Sequence, residues 1–284
     1  MYDLAPLVTR IVSVSLCTGT VPSGLKQALV TPILKKNPGL DANDLRNFRP
    51  VSNLPFVSKI LERAVLLQLQ SHLSTKISQY RNFCFELLEG LLTKSDQKLV
   101  SVLALLDLSA AFDTLDHAIL LRRLESTFGI SGLALSWFES YLSDRTQSVV
   151  VGSLMSIPIP LVFGVPQGSV LGPVLFTLYS QPLSDVLARH SCDYHKYADD
   201  TEISDSAPPS DFTSAQSNIQ SCISDTLSWM QSNKLKLNTE KNPEMMLVGS
   251  SVRISSVGCE SADIDESCIP FQTSLECILT RRCQ

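Results

Sequence analysis

The chain has 284 residues, 44% of them hydrophobic and 18% charged, with a formal net charge of −5. That length and apolar share exclude a disordered or fibrous chain and allow one large core or two modest ones. The negative balance argues against a simple nucleic-acid binder, and eight cysteines without a C-x-x-C pair exclude a disulfide scaffold and favour buried thiols in a reducing compartment.

Leu4, Leu7, Val8 and Ile11 are spaced for one face of a helix over 4–16, and Pro22 suits the first turn of a short second helix. Residues 28–34 read as a strand closed by a Pro38-Gly39 turn. Pro55 starts a helix running to about Leu73, with Val57, Ile60, Leu61, Ala64, Val65 and Leu69 on its inner face. Residues 99–106 are apolar throughout and suit a strand buried on both faces, with Asp107 at its end. Asp116 is an N-cap for a helix through Phe128, stopped by Gly129, and Ser131 caps a second helix to about Leu142. Residues 147–151 are strand-like. After Gly168, Ser169 caps a helix expected over 170–189. The polar stretch 204–217, with Pro208-Pro209, reads as a loop leading into an amphipathic helix over 211–230, with Phe212, Ile219, Ile223, Leu227 and Met230 inward. Residues 234–238 and 244–248 are expected to pair as strands. Helices and antiparallel strands mix without regular βαβ alternation, which gives an α+β class.

No apolar run reaches membrane-spanning length, since the richest stretch, 149–165, carries Pro158 and Pro160, so no membrane partner is expected. No basic segment precedes an apolar one at the N-terminus, so no secretory signal is read. Cys192 and His195 could be half a zinc site, but no second half is apparent. Between Lys26 and Arg63 stand seven basic residues (Lys26, Lys35, Lys36, Arg46, Arg49, Lys59, Arg63) and three acidic ones (Asp41, Asp44, Glu62), a local excess of four positive charges. Such a stretch is either an ordinary solvated surface or a basic wall that grips phosphates.

The most informative segment is 194–204, Tyr-His-Lys-Tyr-Ala-Asp-Asp-Thr-Glu-Ile-Ser. Asp199 and Asp200 lie between two strand-like runs and read as the tip of a β-hairpin. Two adjacent carboxylates repel, and both stay ionised when a cation lies beside them. Mg²⁺ prefers such hard oxygen ligands and commonly takes one or two carboxylates plus substrate phosphates. A solvated acidic turn is the plain alternative.

Three further segments appear in order upstream: Arg49-Pro50-Val51-Ser52-Asn53-Leu54-Pro55, the run from Val102 through Asp107 to Asp113, and the run from Phe163 through Gly168 to Pro173. With Tyr197-Ala198-Asp199-Asp200 they make the chain resemble the reverse transcriptase of a non-LTR (LINE-type) retrotransposon over roughly 20–250. The resemblance implies a right-hand polymerase fold: a helical lead over 1–25, partial fingers over 26–98, a palm over 99–250, a divergent tail over 251–284 and no thumb. It implies RNA-directed DNA synthesis, with an RNA template, a DNA primer and deoxynucleoside triphosphates as partners, in the nucleus or a cytoplasmic ribonucleoprotein. Two Mg²⁺ ions, with Mn²⁺ as a substitute, would stabilise the attacking and leaving oxygens of the in-line displacement.

By that resemblance Asp107 and Asp199 bridge the metals, Asp200 supports them and the Leu108 carbonyl adds a ligand. Asp107 at a strand end and the 199–200 tip converge if the two elements neighbour each other in one sheet. Phe112 would lie under the sugar of the incoming nucleotide and collide with a 2′-hydroxyl, or else be a core phenylalanine. Gly164, Gln167 and Gly168 belong to a loop that positions template and nucleotide, with a following helix N-terminus that offers N–H groups to anions. Lys241 matches a lysine that protonates the leaving pyrophosphate, and Arg49 a fingers residue near phosphate.

The pattern departs in three places. After Leu73 only Gln79-Tyr80-Arg81 hints at the second fingers motif; Lys241-Asn242-Pro243-Glu244 holds an extra residue; and 251–284, with four cysteines, drifts away. A catalytically silent remnant that at most binds nucleic acid is therefore the alternative reading, and an RNA-templated RNA polymerase a third, against which Phe112 counts.

Overall fold

The computed structural model describes residues 4–35, 39–73, 90–91, 93–108, 111–197, 200–238 and 244–248. They fall into two compact units that interleave along the chain, one built from Met1–Ser78 and Ala111–Tyr179, the other from Gln79–Ala110 and Ser180–Gln284. Among the described residues no helix is long and apolar enough to cross a membrane.

The first unit opens with helix α1 (Ala5–Thr18), which ends on Gly19 at φ 64°, the left-handed geometry that glycine tolerates at a helix stop. Pro22 leads into a single 3₁₀ turn, Ser23–Leu25, and not the short helix its sequence suggested. Strand β1 (Gln27–Leu34) and strand β2 (Phe48–Asn53) pair antiparallel, from Leu29↔Asn53 to Leu34↔Phe48. Helix α2 (Phe56–Leu73) follows directly, its buried side holding Leu61, Val65, Leu69 and Leu73. Val57, Ile60 and Ala64, expected inward, are only half-buried, while Ser58 and Glu62 are buried.

Later in this unit come helix α3 (His117–Ser126) and helix α4 (Gly132–Leu142). Asp116 caps α3 by accepting the Ile119 N–H at 2.9 Å, which satisfies one of the donors that a helix start leaves open. Strand β4 (Thr146–Val151) runs parallel to β1, from Gln27↔Thr146 to Val30↔Val149, and carries the two-residue strands β5 (Leu154–Met155) and β6 (Ile159–Pro160). The sheet order is therefore β2-β1-β4-β5, with β6 also on β4. Helix α5 (Gly172–Ser180) closes the unit.

The second unit is a four-stranded antiparallel sheet, in the order β7 (Asp193–Tyr197), β8 (Asp200–Ala207), β3 (Val100–Leu106) and β9 (Glu244–Val248). Strand β3 (Val100–Leu106) is buried at every position except Leu105, as its unbroken apolar run requires. Helix α6 (Leu183–Leu187) starts after Pro182, so the helix expected over 170–189 is two helices. A proline there removes a backbone donor and clashes with the preceding turn, which ends α5 at Ser180. Strands β7 (Asp193–Tyr197) and β8 (Asp200–Ala207) form the hairpin read from the sequence. Because β8 extends to Ala207, the expected loop over 204–217 shrinks to a 3₁₀ turn, Pro209–Asp211. Helix α7 (Phe212–Ser232) buries Phe212, Ala215, Ile219, Cys222, Thr226 and Met230. Leu227, expected inward, is 39% exposed, because the buried stripe follows Ala215, Cys222 and Thr226 instead.

Strand β9 (Glu244–Val248) pairs antiparallel with β3, from Ser101↔Val248 to Leu105↔Glu244. It does not pair with 234–238, of which Leu237 makes an isolated bridge to Leu108. An edge place beside an apolar central strand buries more of Leu247 and Val248 than a separate two-stranded ribbon would. The expectation of buried thiols holds for Cys192 and Cys222 but not for Cys17, which is exposed.

Candidate functional site

The acidic centre lies at one end of the second unit's sheet. The antiparallel register of β3 and β8 ends at Leu106↔Thr201, and Asp107 and Asp200 are the residues next to that last pair, so the two lie at the same end of neighbouring strands. Asp107 is half-buried and Asp200 exposed. The condition set for convergence, that the strand before Asp107 and the hairpin strand of Asp200 neighbour each other in one sheet, is present. Asp199 and Lys241 lie outside the described residues.

Asp107 is held by a residue that sequence reasoning passed over. Asn238 Nδ2 donates to Asp107 Oδ2 at 3.1 Å, and the Asn238 N–H donates to the Asp107 carbonyl at 2.9 Å. The bridge between Leu108 and Leu237 aligns the two segments. Leu108 is buried. The available signal was the alternation through Leu235-Lys236-Leu237, which marks an extended segment but not its partner.

Asp107 and Asp200 offer hard oxygen donors of the kind Mg²⁺ takes. Among the described residues no group of three or more His, Cys, Asp or Glu side chains is placed to hold a metal.

The residues expected to touch nucleotide and template sit in the first unit. Gly164 adopts φ 76°, and a Cβ there would lie 2.5 Å from the Phe112 carbonyl oxygen and 2.7 Å from Asp113 Cα, so no side chain fits. Its neighbours are tied to the segment that bears Phe112. The Gly164 N–H donates to the Leu115 carbonyl at 2.7 Å, and the Val165 N–H to the Phe112 carbonyl at 2.8 Å. His117 Nε2 donates to the Gly164 carbonyl at 2.7 Å. Two residues on, the Ser52 N–H of β2 donates to the Gln167 carbonyl at 2.8 Å. Gly168, at φ 109°, would bring a Cβ to 3.1 Å from the Ser52 carbonyl oxygen. Phe112 is half-buried, its ring 5.7 Å from that of Phe176. Arg49 is exposed on β2, paired in register with Ile33. Phe112, Gly164, Gln167 and Gly168 are thus drawn together by backbone hydrogen bonds, with Arg49 on the strand that holds the far end of the loop.

Two expectations about charge are corrected. The N–H groups before α5 were read as open to a substrate anion. Instead the Val170 and Leu171 N–H groups donate to Glu62 Oε2, at 2.7 and 3.1 Å, and the Gly172 N–H to Ser169 Oγ at 3.1 Å. An internal carboxylate already occupies that helix start. The basic wall is also thinner than the count implied. Lys26 is buried, and burial pushes its ammonium below the ordinary lysine value. Arg46 pairs with Asp44 at 2.8 Å. Lys35 is half-buried and donates to the Arg46 carbonyl at 2.8 Å, Arg49, Lys59 and Arg63 are exposed, and Lys36 lies outside the described residues.

Comparison with known proteins supplies the family. Residues 33–265 match the family described as reverse transcriptase (RNA-dependent DNA polymerase). The chain is 29% identical over 240 residues to the RNA-directed DNA polymerase from mobile element jockey of Drosophila melanogaster, a match covering 78% of this chain and 26% of that protein. It is 28% identical over 264 residues to the probable RNA-directed DNA polymerase from transposon BS of the same species, covering 86% of this chain and 28% of that protein. The chain therefore spans about a quarter of the length of these curated relatives. In fold it is similar to apo telomerase from Candida tropicalis truncated from its C-terminal domain, with a TM-score of 0.56 and 15% identity over 81% of this chain and 51% of that one.

Proposed function

The chain belongs to the reverse transcriptase (RNA-dependent DNA polymerase) family, and from that premise we propose that it is the polymerase domain of a non-LTR retrotransposon, extending a DNA primer on an RNA template with deoxynucleoside triphosphates. The antiparallel sheet that carries Asp107 and Asp200 is the palm in this reading, and the sheet that carries Arg49 belongs to the fingers. The observation that carries the proposal is the register of β3 and β8, whose last pair, Leu106↔Thr201, stands next to Asp107 and Asp200.

Asp107, Asp199 and Asp200 would hold two Mg²⁺ ions, or Mn²⁺ in their place, and the donor set of the described pair fits this use. When bound, the ions supply charge stabilisation at the attacking and leaving oxygens of an in-line phosphoryl displacement. The rest is done by the chain itself. Asn238 fixes one carboxylate oxygen of Asp107 and with it the orientation of the group. The loop around Gln167 and Gly168, pinned at Ser52, positions template and incoming nucleotide by its backbone. Phe112 limits the room beside the sugar, and Arg49 offers its planar fork to phosphate. Lys241 gives a proton to the departing pyrophosphate.

The test is primer extension by the purified 284-residue chain on an RNA template. Extension that needs deoxynucleotides and is abolished by a chelator is the expected result. A folded chain that binds primer–template yet adds no nucleotide under any divalent metal would overturn the reading.

A further inference from the structure

Glu62 is a carboxylate in an unusual place. It sits on the apolar side of α2, is 1% exposed, and is followed by Val65 and Leu69 in the same buried stripe. A carboxylate removed from water is costly unless its oxygens receive hydrogen bonds. Here each oxygen does. Ser58 Oγ donates to Oε1 at 3.2 Å, and the Val170 and Leu171 N–H groups donate to Oε2 at 2.7 and 3.1 Å. The phenol of Tyr141 stands beside the same carboxylate: burial first, and the Glu62 charge next, push it above its ordinary value. Arg145, itself buried, lies 4.8 Å over the Tyr141 ring and donates Nη1 to the Tyr141 carbonyl at 2.9 Å.

The two backbone donors belong to the stretch that runs straight on from Gln167 and Gly168. That stretch has three anchors within this unit: the Phe112 and Leu115 carbonyls hold its start, the Ser52 N–H holds its middle, and Glu62 holds its end. The first two are backbone to backbone and survive any substitution of side chains. Glu62 is the one of these three made by a side chain; His117 Nε2 adds a side-chain contact at the Gly164 carbonyl, ahead of 167–171, and the bonds to Glu62 are charge-assisted, the stronger kind.

We propose that Glu62 is the positioning residue of the nucleotide loop: its buried carboxylate fixes the 167–171 backbone and thereby sets the affinity for the incoming deoxynucleotide, without touching it. The inference rests on the polymerase reading above. Glu62→Ala removes all three bonds and leaves the buried Leu171 N–H and the part-buried Val170 N–H without their acceptor. Glu62→Gln keeps the shape and one oxygen, which can still accept from the backbone, but loses the charge.

The experiment measures nucleotide affinity without chemistry, using primer–template ended by a dideoxynucleotide and titrated with the next deoxynucleotide and Mg²⁺. The expected result is a nucleotide Kd raised about tenfold or more in Glu62→Ala and by a smaller factor in Glu62→Gln, with primer–template affinity within about twofold of the parent. The graded response to the Gln variant is a signature that mere loss of fold would not give. Nucleotide affinity unchanged in both variants, or primer–template and nucleotide affinities falling together with the melting temperature, overturns the inference and assigns Glu62 to stability alone. A parent that binds no primer–template overturns the polymerase reading, and the inference with it.

Discussion

Asn238 grips Asp107 twice, through its side-chain amide on the carboxylate at 3.1 Å and through its backbone N–H on the carbonyl at 2.9 Å. The two contacts fix both the direction of the carboxylate and the path of the chain as it leaves β3. Removing a partner that orients a metal ligand typically costs about 10–100-fold in metal affinity or activity. Asn238→Ala should therefore raise the Mg²⁺ concentration for half-maximal extension and lower the rate by a factor of that order, with the fold retained. A Mg²⁺ titration that superimposes on the parent's would remove Asn238 from the site.

Phe112 packs its ring against Phe176 yet keeps part of its surface open. If the open part limits the sugar, Phe112→Ala should admit ribonucleotides and lower the preference for deoxynucleotides by about tenfold or more, since a lost steric clash of 1.4 kcal/mol is tenfold in rate. The ratio of kcat/KM for the two nucleotide types reads this directly. An unchanged ratio with lowered stability would make Phe112 a core residue only.

Gly164 and Gly152 both have positive φ, at 76° and 59°, but a Cβ at Gly164 meets the Phe112 backbone while one at Gly152 meets open space. Gly152→Ala should cost about 1–2 kcal/mol, the ordinary penalty of that conformation. Gly164→Ala should cost more and weaken nucleotide binding, because the backbone atoms it strikes cannot swing aside. Urea denaturation of the two variants checks the order, and equal losses would contradict it.

Leu103 is fully buried on β3 and packs with Leu91 and Val248. Leu103→Ala should destabilise by about 2–5 kcal/mol, the usual range for an unfilled core site. Chemical denaturation reads the loss. A smaller loss would mean that the sheet closes over the gap.

What the sequence showed of this fold depended on range. The buried run before Asp107, the Asp116 cap and the hairpin around Asp200 are local patterns, and each stands close to where the residues put it. Pro182 splitting a long helix was also local, but the apolar run on both sides of it hid the break. The partners of Asn238 and Glu62 lie 131 and 108 residues away, and no periodicity carries such a pairing. Glu62 and Lys26 were both counted in a charged stretch taken as a solvated surface or a basic wall, yet both are buried, because charge predicts exposure until a fold supplies buried partners. The site's carboxylates were legible as chemistry; what orients them was not.

The most direct measurement is RNA-templated primer extension by the parent beside Asp107→Asn, both checked for equal melting temperature and equal primer–template affinity. The account predicts extension by the parent and a loss of about 10³-fold or more in the variant, as expected when one metal-binding charge is removed from the reacting centre. Extension by Asp107→Asn at a rate close to the parent's would contradict it, because the carboxylate at the end of β3 would then take no part in the chemistry.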